Sequence, residues 1–110
     1  MVRRLRSDRR LLRIIYLLSD EGKKVIHVDF MINFLKEFQN SSKINLSMQD
    51  GDISNTLSYL REFRGIIYDE DGILVRLTKQ GIEWALNNPL SKDTEGELEK
   101  YISQLWIIDR

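Results

Sequence analysis

The side chains best placed for chemistry lie in the segment ISNTLSYLRE. Ile53, Leu57 and Leu60 are spaced four and three residues apart, so a helix would turn all three inward. The remaining side chains then point outward, and most are small or hydrogen-bonding: Ser54, Asn55, Ser58, Arg61 and Glu62. Asparagine can pair with adenine, arginine with guanine, and serine with several bases. This pattern favours a helix that approaches base edges.

Clustered arginines near the start of the sequence could bind phosphate. MVRRLRSDRR holds five arginines against Asp8, and Arg13 follows. Residues 1–50 carry a net charge of +4 and residues 51–110 one of −4, so the whole chain is neutral. We predict an Arg-rich arm over residues 1–10 that contacts phosphates. The alternative is that these arginines solvate the first turn of a helix.

Residues typical of enzymes and metal sites are scarce. His27 is the only histidine, there is no cysteine, and the chain has neither a glycine-rich phosphate loop nor an HExxH pair. His27 in VIHVDF is expected to be a strand residue, DEDG a turn, and EGELEK a solvated helix face. We therefore expect no enzyme activity, no metal and no cofactor.

Length and composition indicate one ordered domain in the cytoplasm. The chain has 110 residues, of which 42% are hydrophobic and 31% charged. No apolar run approaches the roughly 20 residues that cross a bilayer, so no membrane association is expected. The lack of cysteine fits a reducing compartment.

The first half of the chain predicts two helices joined by a short strand. Ser7 or Asp8 would cap a first helix whose buried stripe is Leu11, Ile14, Ile15 and Leu18, and which ends between Ser19 and Gly22. Val25, Ile26 and Val28 favour a strand. Asp29 would cap the second helix. Its inner face is expected to comprise Phe30, Met31 or Ile32, Phe34, Leu35 and Phe38.

The second half predicts a helix, a hairpin and another helix. The third helix should begin between Ser47 and Asp52 after a long connection over residues 39–46. Residues 66–68 and 73–77 would pair as strands around an acidic turn made of Asp69, Glu70, Asp71 and Gly72. Thr78 would cap the next helix, which Asn88 and Pro89 close. Its apolar stripe is expected to be Ile82, Ala85 and Leu86.

Residues 91–110 predict a last amphipathic helix that needs a partner surface. Its apolar line is Leu98, Ile102 and Leu105, flanked by Tyr101 and Trp106. Either helix one of the same chain or the same helix of a second chain could cover it. We favour the second chain. A twofold dimer would place two base-reading helices about 34 Å apart, which suits an inverted-repeat site.

The segment ISNTLSYLREFRGIIYDEDGILVRLTKQGIEWAL resembles winged helix-turn-helix transcription regulators of bacterial and archaeal type. Gly65, Ile66 and Ile67 follow the helix, and Leu77, Thr78 and Gly81 form the L-T-x-x-G start of the next one. The resemblance covers residues 8–90. It implies an α+β, mainly helical fold, with a three-helix core, a β-hairpin wing and the added C-terminal helix. It also implies sequence-specific binding of double-stranded DNA by a homodimeric transcription regulator.

In this family the exposed side of the residue 47–63 helix enters the major groove, and the wing touches the backbone or minor groove. The predicted DNA-binding residues are Arg3, Arg4, Arg6, Arg9, Lys43, Ser47, Gln49, Ser54, Asn55, Ser58, Arg61, Arg64 and Arg76. The acidic wing tip departs from the family pattern, because a duplex should repel it. An alternative interpretation is therefore a winged-helix module that docks a protein without binding specific DNA.

Overall fold

The computed structural model describes residues 2–42, 44, 46, 50–61, 67–70 and 73–108. Within these residues the protein is α+β and mainly helical. The elements, in chain order, are α1 Val2–Leu18, β1 Ile26–His27, α2 Val28–Ser41, α3 Asp50–Tyr59, β2 Ile67–Glu70, β3 Leu74–Leu77, α4 Lys79–Leu86 and α5 Lys92–Ile108.

Helix α1 is the centre of the packing, since α3, α4 and α5 all contact it. Its predicted stripe is confirmed: Leu11, Ile14, Ile15 and Leu18 are fully buried. The predicted cap at Ser7 or Asp8 is wrong, because the helix already begins at Val2. Residues 2–9 hold four arginines and one leucine, and both residue types are good helix formers. Residues 2–10 of the predicted arm thus belong to α1.

A left-handed turn joins α1 to β1. Asp20, Glu21 and Gly22 have φ angles of 55°, 60° and 86°. The buried Ser19 hydroxyl holds the turn: it accepts a hydrogen bond from the Gly22 N–H at 3.0 Å and donates to the Tyr16 carbonyl at 3.3 Å. A Cβ at residue 22 would lie 2.7 Å from the Ile82 side chain, so the turn also needs glycine for space.

Helix α2 buries Met31, Phe34, Leu35 and Phe38, largely as predicted. Phe30 is an exception, since 38% of it is exposed. At about 100° per residue it lies roughly a quarter-turn from the centre of the buried stripe. The predicted Asp29 cap is also wrong: the helix begins at Val28, so Asp29 lies within the first turn. The helix continues to Ser41, so the connection to α3 starts later in the chain than expected.

The sheet is antiparallel, with strand order β1-β3-β2. Ile26 pairs with Val75, and Ile67 with Leu77, and all four side chains are buried. His27 lies in β1, as predicted.

The hairpin turn is shorter than expected. Asp69 and Glu70 were predicted to lie in the turn, but they belong to β2 and pair with Val75 and Leu74. The cross-strand ladder outweighs the turn preference of the acidic residues. Asp71 and Gly72 lie outside the described residues.

Helix α4 begins as the sequence predicts, because the Thr78 hydroxyl accepts a hydrogen bond from the Gly81 N–H at 3.1 Å. Gly81 and Ala85 are buried, and α4 packs on α1. The expected place of Leu86 in the buried stripe is wrong, since 56% of it is exposed. It follows Ala85 by one residue and is therefore turned about 100° further round the helix.

Helix α5 confirms the predicted last helix and completes the core. Leu98 is fully buried and Ile102 is 7% exposed, within the single chain. Half-buried Tyr101 contacts Phe38 edge to face, with ring centroids 5.2 Å apart. The same chain thus covers these residues of the apolar line. No helix in the described ranges combines the length and apolar character needed to cross a membrane.

Candidate nucleic-acid interface

The exposed face of α3 carries the predicted base-reading side chains. Ser54, Asn55 and Ser58 are exposed, as is Arg61 in the π-helical turn that continues α3. The opposite face, Ile53, Leu57 and Leu60, is buried as its spacing predicted. The helix therefore has a firmly packed inner side and an outer side of hydrogen-bonding groups.

The connection that leads to α3 is anchored at Leu46. Arg10 Nη1 on α1 donates a hydrogen bond to the Leu46 carbonyl at 2.9 Å. The Leu46 N–H donates to Gln39 Oε1 on α2 at 3.2 Å. The Leu46 side chain is itself buried. Sequence reasoning missed this anchor, because its partners are distant along the chain and no motif links them.

The other predicted DNA contacts are spread over several elements. Arg76 is exposed on β3, where it pairs with Tyr68 of β2. Four arginines lie along the first turns of α1: Arg3, Arg4, Arg6 and Arg9. The remaining predicted residues fall outside the described parts of the chain: Lys43, Ser47, Gln49 and Arg64. Only the α3 residues are shown to share one face.

Arg13 has a structural partner rather than a free guanidinium. Its Nε donates to Glu95 Oε2 at 2.8 Å and its Nη2 to Glu95 Oε1 at 3.0 Å. Its Nη1 donates to the Ala85 carbonyl at 2.9 Å, and its guanidinium lies 5.0 Å from the centre of the Tyr16 ring. Arg13 therefore joins α1 to α4 and α5. Its positive charge is already paired with the Glu95 carboxylate.

The Arg13 hydrogen bonds lower the pKa of the Glu95 carboxyl below its ordinary value. The Leu90 N–H, which donates to Glu95 Oε2 at 2.7 Å, lowers that pKa further. Glu95 in turn raises the pKa of Arg13. Both groups are charged at neutral pH and are held by several hydrogen bonds each.

Groups suited to metal binding are not brought together in the described residues, where no three histidine, cysteine, aspartate or glutamate side chains meet. A polar cleft of about 380 Å³ lies between the end of α2 and α5. It is lined by Ser41, Ser42, Glu97, Lys100, Tyr101 and Gln104.

No family model matches this chain, and no curated protein or solved structure matches it either.

Proposed function

We propose that this protein binds double-stranded DNA in a sequence-specific manner and regulates transcription, using a winged helix-turn-helix fold. The observation that carries the proposal is the outer face of α3, where Ser54, Asn55, Ser58 and Arg61 are all exposed. Side chains of these types hydrogen-bond base edges in the major groove. The order of elements, three helices followed by a hairpin and a further helix, supports the same fold.

Phosphate contacts supply most of the affinity in such complexes, while base contacts supply the specificity. In the proposed complex the phosphate contacts come mainly from the arginines of the first turns of α1 and from Arg76. Because residues 2–9 are helical, these arginines follow the helix rather than an extended arm.

The first test is fluorescence anisotropy of a labelled mixed-sequence duplex at about 50 and about 200 mM salt. We expect affinity to fall steeply between the two concentrations. Absence of binding at the lower concentration would contradict the proposal.

The base-reading role of α3 has its own test. In a duplex selected for tight binding, Asn55→Ala should lower affinity by about 10-fold to 100-fold, the usual worth of a bidentate base contact. Asn33 is also an exposed asparagine and lies on α2, so Asn33→Ala is the matched control and should leave affinity unchanged. Equal effects of the two substitutions would refute the assignment of α3.

A second candidate function is docking of a partner protein by the same fold. It is favoured by the zero net charge of the chain and by Asp69 and Glu70 on β2, which a duplex would repel. Deleting residues 1–10 would remove part of α1 and the Arg10 hydrogen bond to Leu46, so substitution is the cleaner test. Replacing Arg3, Arg4, Arg6 and Arg9 by glutamine should weaken DNA binding and reduce its salt dependence. If the protein is instead a protein-docking module, the same substitutions should leave binding of its partner protein unchanged.

The homodimer and the cytoplasmic location are further parts of the proposal. A twofold dimer would suit an inverted-repeat site with half-sites about 34 Å apart. Since Leu98 and Ile102 are covered within the chain, a dimer contact through α5 would depend on Leu105 and Trp106, whose side chains lie outside the described set.

A further inference from the structure

We propose that Arg10 and Gln39 are positioning residues that fix the placement of α3, and through it the discrimination between DNA sequences. The inference rests on the proposed function for its effect on DNA, but its structural part can be tested without DNA. Both residues act on the backbone of Leu46, four residues before α3 begins at Asp50.

The anchor holds Leu46 from three sides. α1 binds its carbonyl through Arg10, α2 binds its N–H through Gln39, and the core encloses its side chain. The backbone of Leu46 has one N–H donor and one carbonyl acceptor, and side chains of α1 and α2 bind both of them. Leu46 therefore cannot shift without breaking a hydrogen bond or exposing its side chain.

The Gln39 amide is itself held in one orientation. Its Nε2 donates to the Leu35 carbonyl at 3.2 Å, which leaves Oε1 to accept from Leu46. Reversing the amide would place a donor against the Leu46 N–H and an acceptor against the Leu35 carbonyl. Both hydrogen bonds therefore require the same orientation of the Gln39 amide.

Directional contacts matter here because the inner face of α3 is mainly apolar: Ile53, Leu57 and Leu60 are buried there, together with the Thr56 side chain. Burial of Ile53, Leu57 and Leu60 holds α3 against the core, but hydrophobic burial has no preferred direction. Base recognition requires side chains to be held within about 0.5 Å of the productive geometry. The hydrogen bonds at Leu46 provide a directional restraint four residues before the start of α3.

This assignment also separates Arg10 from the arginines that precede it. A phosphate contact would contribute to binding of every duplex, whereas a positioning residue should affect mainly the preferred sequence. Gln39 carries no charge, so it reports on positioning alone. The two residues should therefore show the same phenotype although only one of them is cationic.

The test compares affinities for a selected duplex and for a scrambled one. Gln39→Met and Arg10→Met should each reduce the ratio of the two affinities by about tenfold, with the scrambled affinity and the salt slope unchanged. Arg10→Lys, which keeps a donor, should restore much of the ratio. Controls are Asn40→Met, which removes an exposed amide beside Gln39, and Lys36→Met, which removes an exposed charge from the same helix.

Hydrogen exchange of the free protein supplies the readout that does not need DNA. In Gln39→Met and Arg10→Met, amides of α3 should exchange faster while those of α4 keep their protection. Unchanged exchange in α3 would overturn the positioning role whether or not the wild type binds DNA. If Arg10→Met instead lowers the affinity for both duplexes equally and reduces the salt slope by about one, Arg10 is a phosphate contact. That result would overturn its assignment as a positioning residue. A wild type that binds no duplex would refute the proposed function and leave the exchange result to decide this inference.

Discussion

Substituting Glu95 by glutamine should measure how strongly the Arg13 and Glu95 pair holds α5 against α1 and α4. The change removes the negative charge that accepts two hydrogen bonds from Arg13 and one from the Leu90 N–H. Arg13 would keep the Ala85 carbonyl and the Tyr16 ring, so it would not be left wholly unpaired.

The magnitude follows from the burial of the pair. Exposed ion pairs contribute about 0 to 1 kcal/mol, and breaking a fully buried pair costs about 3 to 5 kcal/mol. The Arg13 and Glu95 side chains are 13% and 16% exposed, which lies nearer the buried case. We therefore expect Glu95→Gln to lower the free energy of unfolding by about 2 to 3 kcal/mol, a value within the range for charged hydrogen bonds.

The effect should also depend on pH. The folded-state pKa of Glu95 is lowered, so its contribution to stability is present above the unfolded pKa and is lost as pH falls through the folded value. The stability difference between wild type and Glu95→Gln should thus be full at pH 7 and shrink below about pH 4. Arg13 stays protonated throughout this range, since its pKa is raised.

The assay is urea unfolding followed by circular dichroism between pH 7 and pH 3. Glu97→Gln makes the same chemical change two residues along α5 and serves as the control, with an expected loss under about 0.5 kcal/mol. A loss at Glu95 no larger than at Glu97, or one that persists undiminished at pH 3, would refute the reasoning.

Three further predictions test other parts of the structure. Gly22→Ala should destabilise the protein by about 1 to 3 kcal/mol in urea unfolding, because φ is positive and the new Cβ meets Ile82. Gly96→Ala is its control: a Cβ there meets nothing within 4 Å, so inside a helix it should be neutral or stabilising; a similar loss at both sites would contradict the clash. Thr78→Ala should cost about 1 kcal/mol by removing the α4 cap, and Thr78→Ser should cost less, as thermal unfolding would show. Leu105→Asp should give a folded monomer by light scattering if α5 forms a dimer, and an unchanged mass would remove the dimer hypothesis.

Much of the fold could be predicted because the spacing of apolar residues and the capping residues determine where the helices lie. The four-and-three spacing of Ile53, Leu57 and Leu60 identified the inner face of α3, and Thr78 identified the start of α4. These are properties of neighbouring residues, so periodicity and capping preferences are enough to find them.

The missed features depend on tertiary context. Phe30 on α2 and Leu86 on α4 are apolar and lie beside the buried stripe of their helix. The way each helix packs on its neighbours leaves them exposed. Asp69 and Glu70 favour a turn locally, yet pairing with β3 extends the strand through them.

The two polar anchors could not be found from the sequence at all. Arg13 and Glu95 are 82 residues apart, and Arg10 and Leu46 are 36 apart. An arginine in a basic segment gives no sign that its partner is a distant carboxylate or carbonyl. From the sequence, Arg10 and Arg13 therefore belong only to the clustered positive charge near the start of the chain.

The contact between α1 and α5 determines when the protein can finish folding during its synthesis. Isolated helices form within about a microsecond, whereas ribosomes add about 5 to 20 residues per second. The 82 residues between Arg13 and Glu95 therefore correspond to about 4 to 16 seconds of translation. Until α5 has been made, the core lacks Leu98 and Ile102, and chaperones that bind exposed apolar segments have access to the incomplete core. The nascent chain completes its core only when α5 has been made.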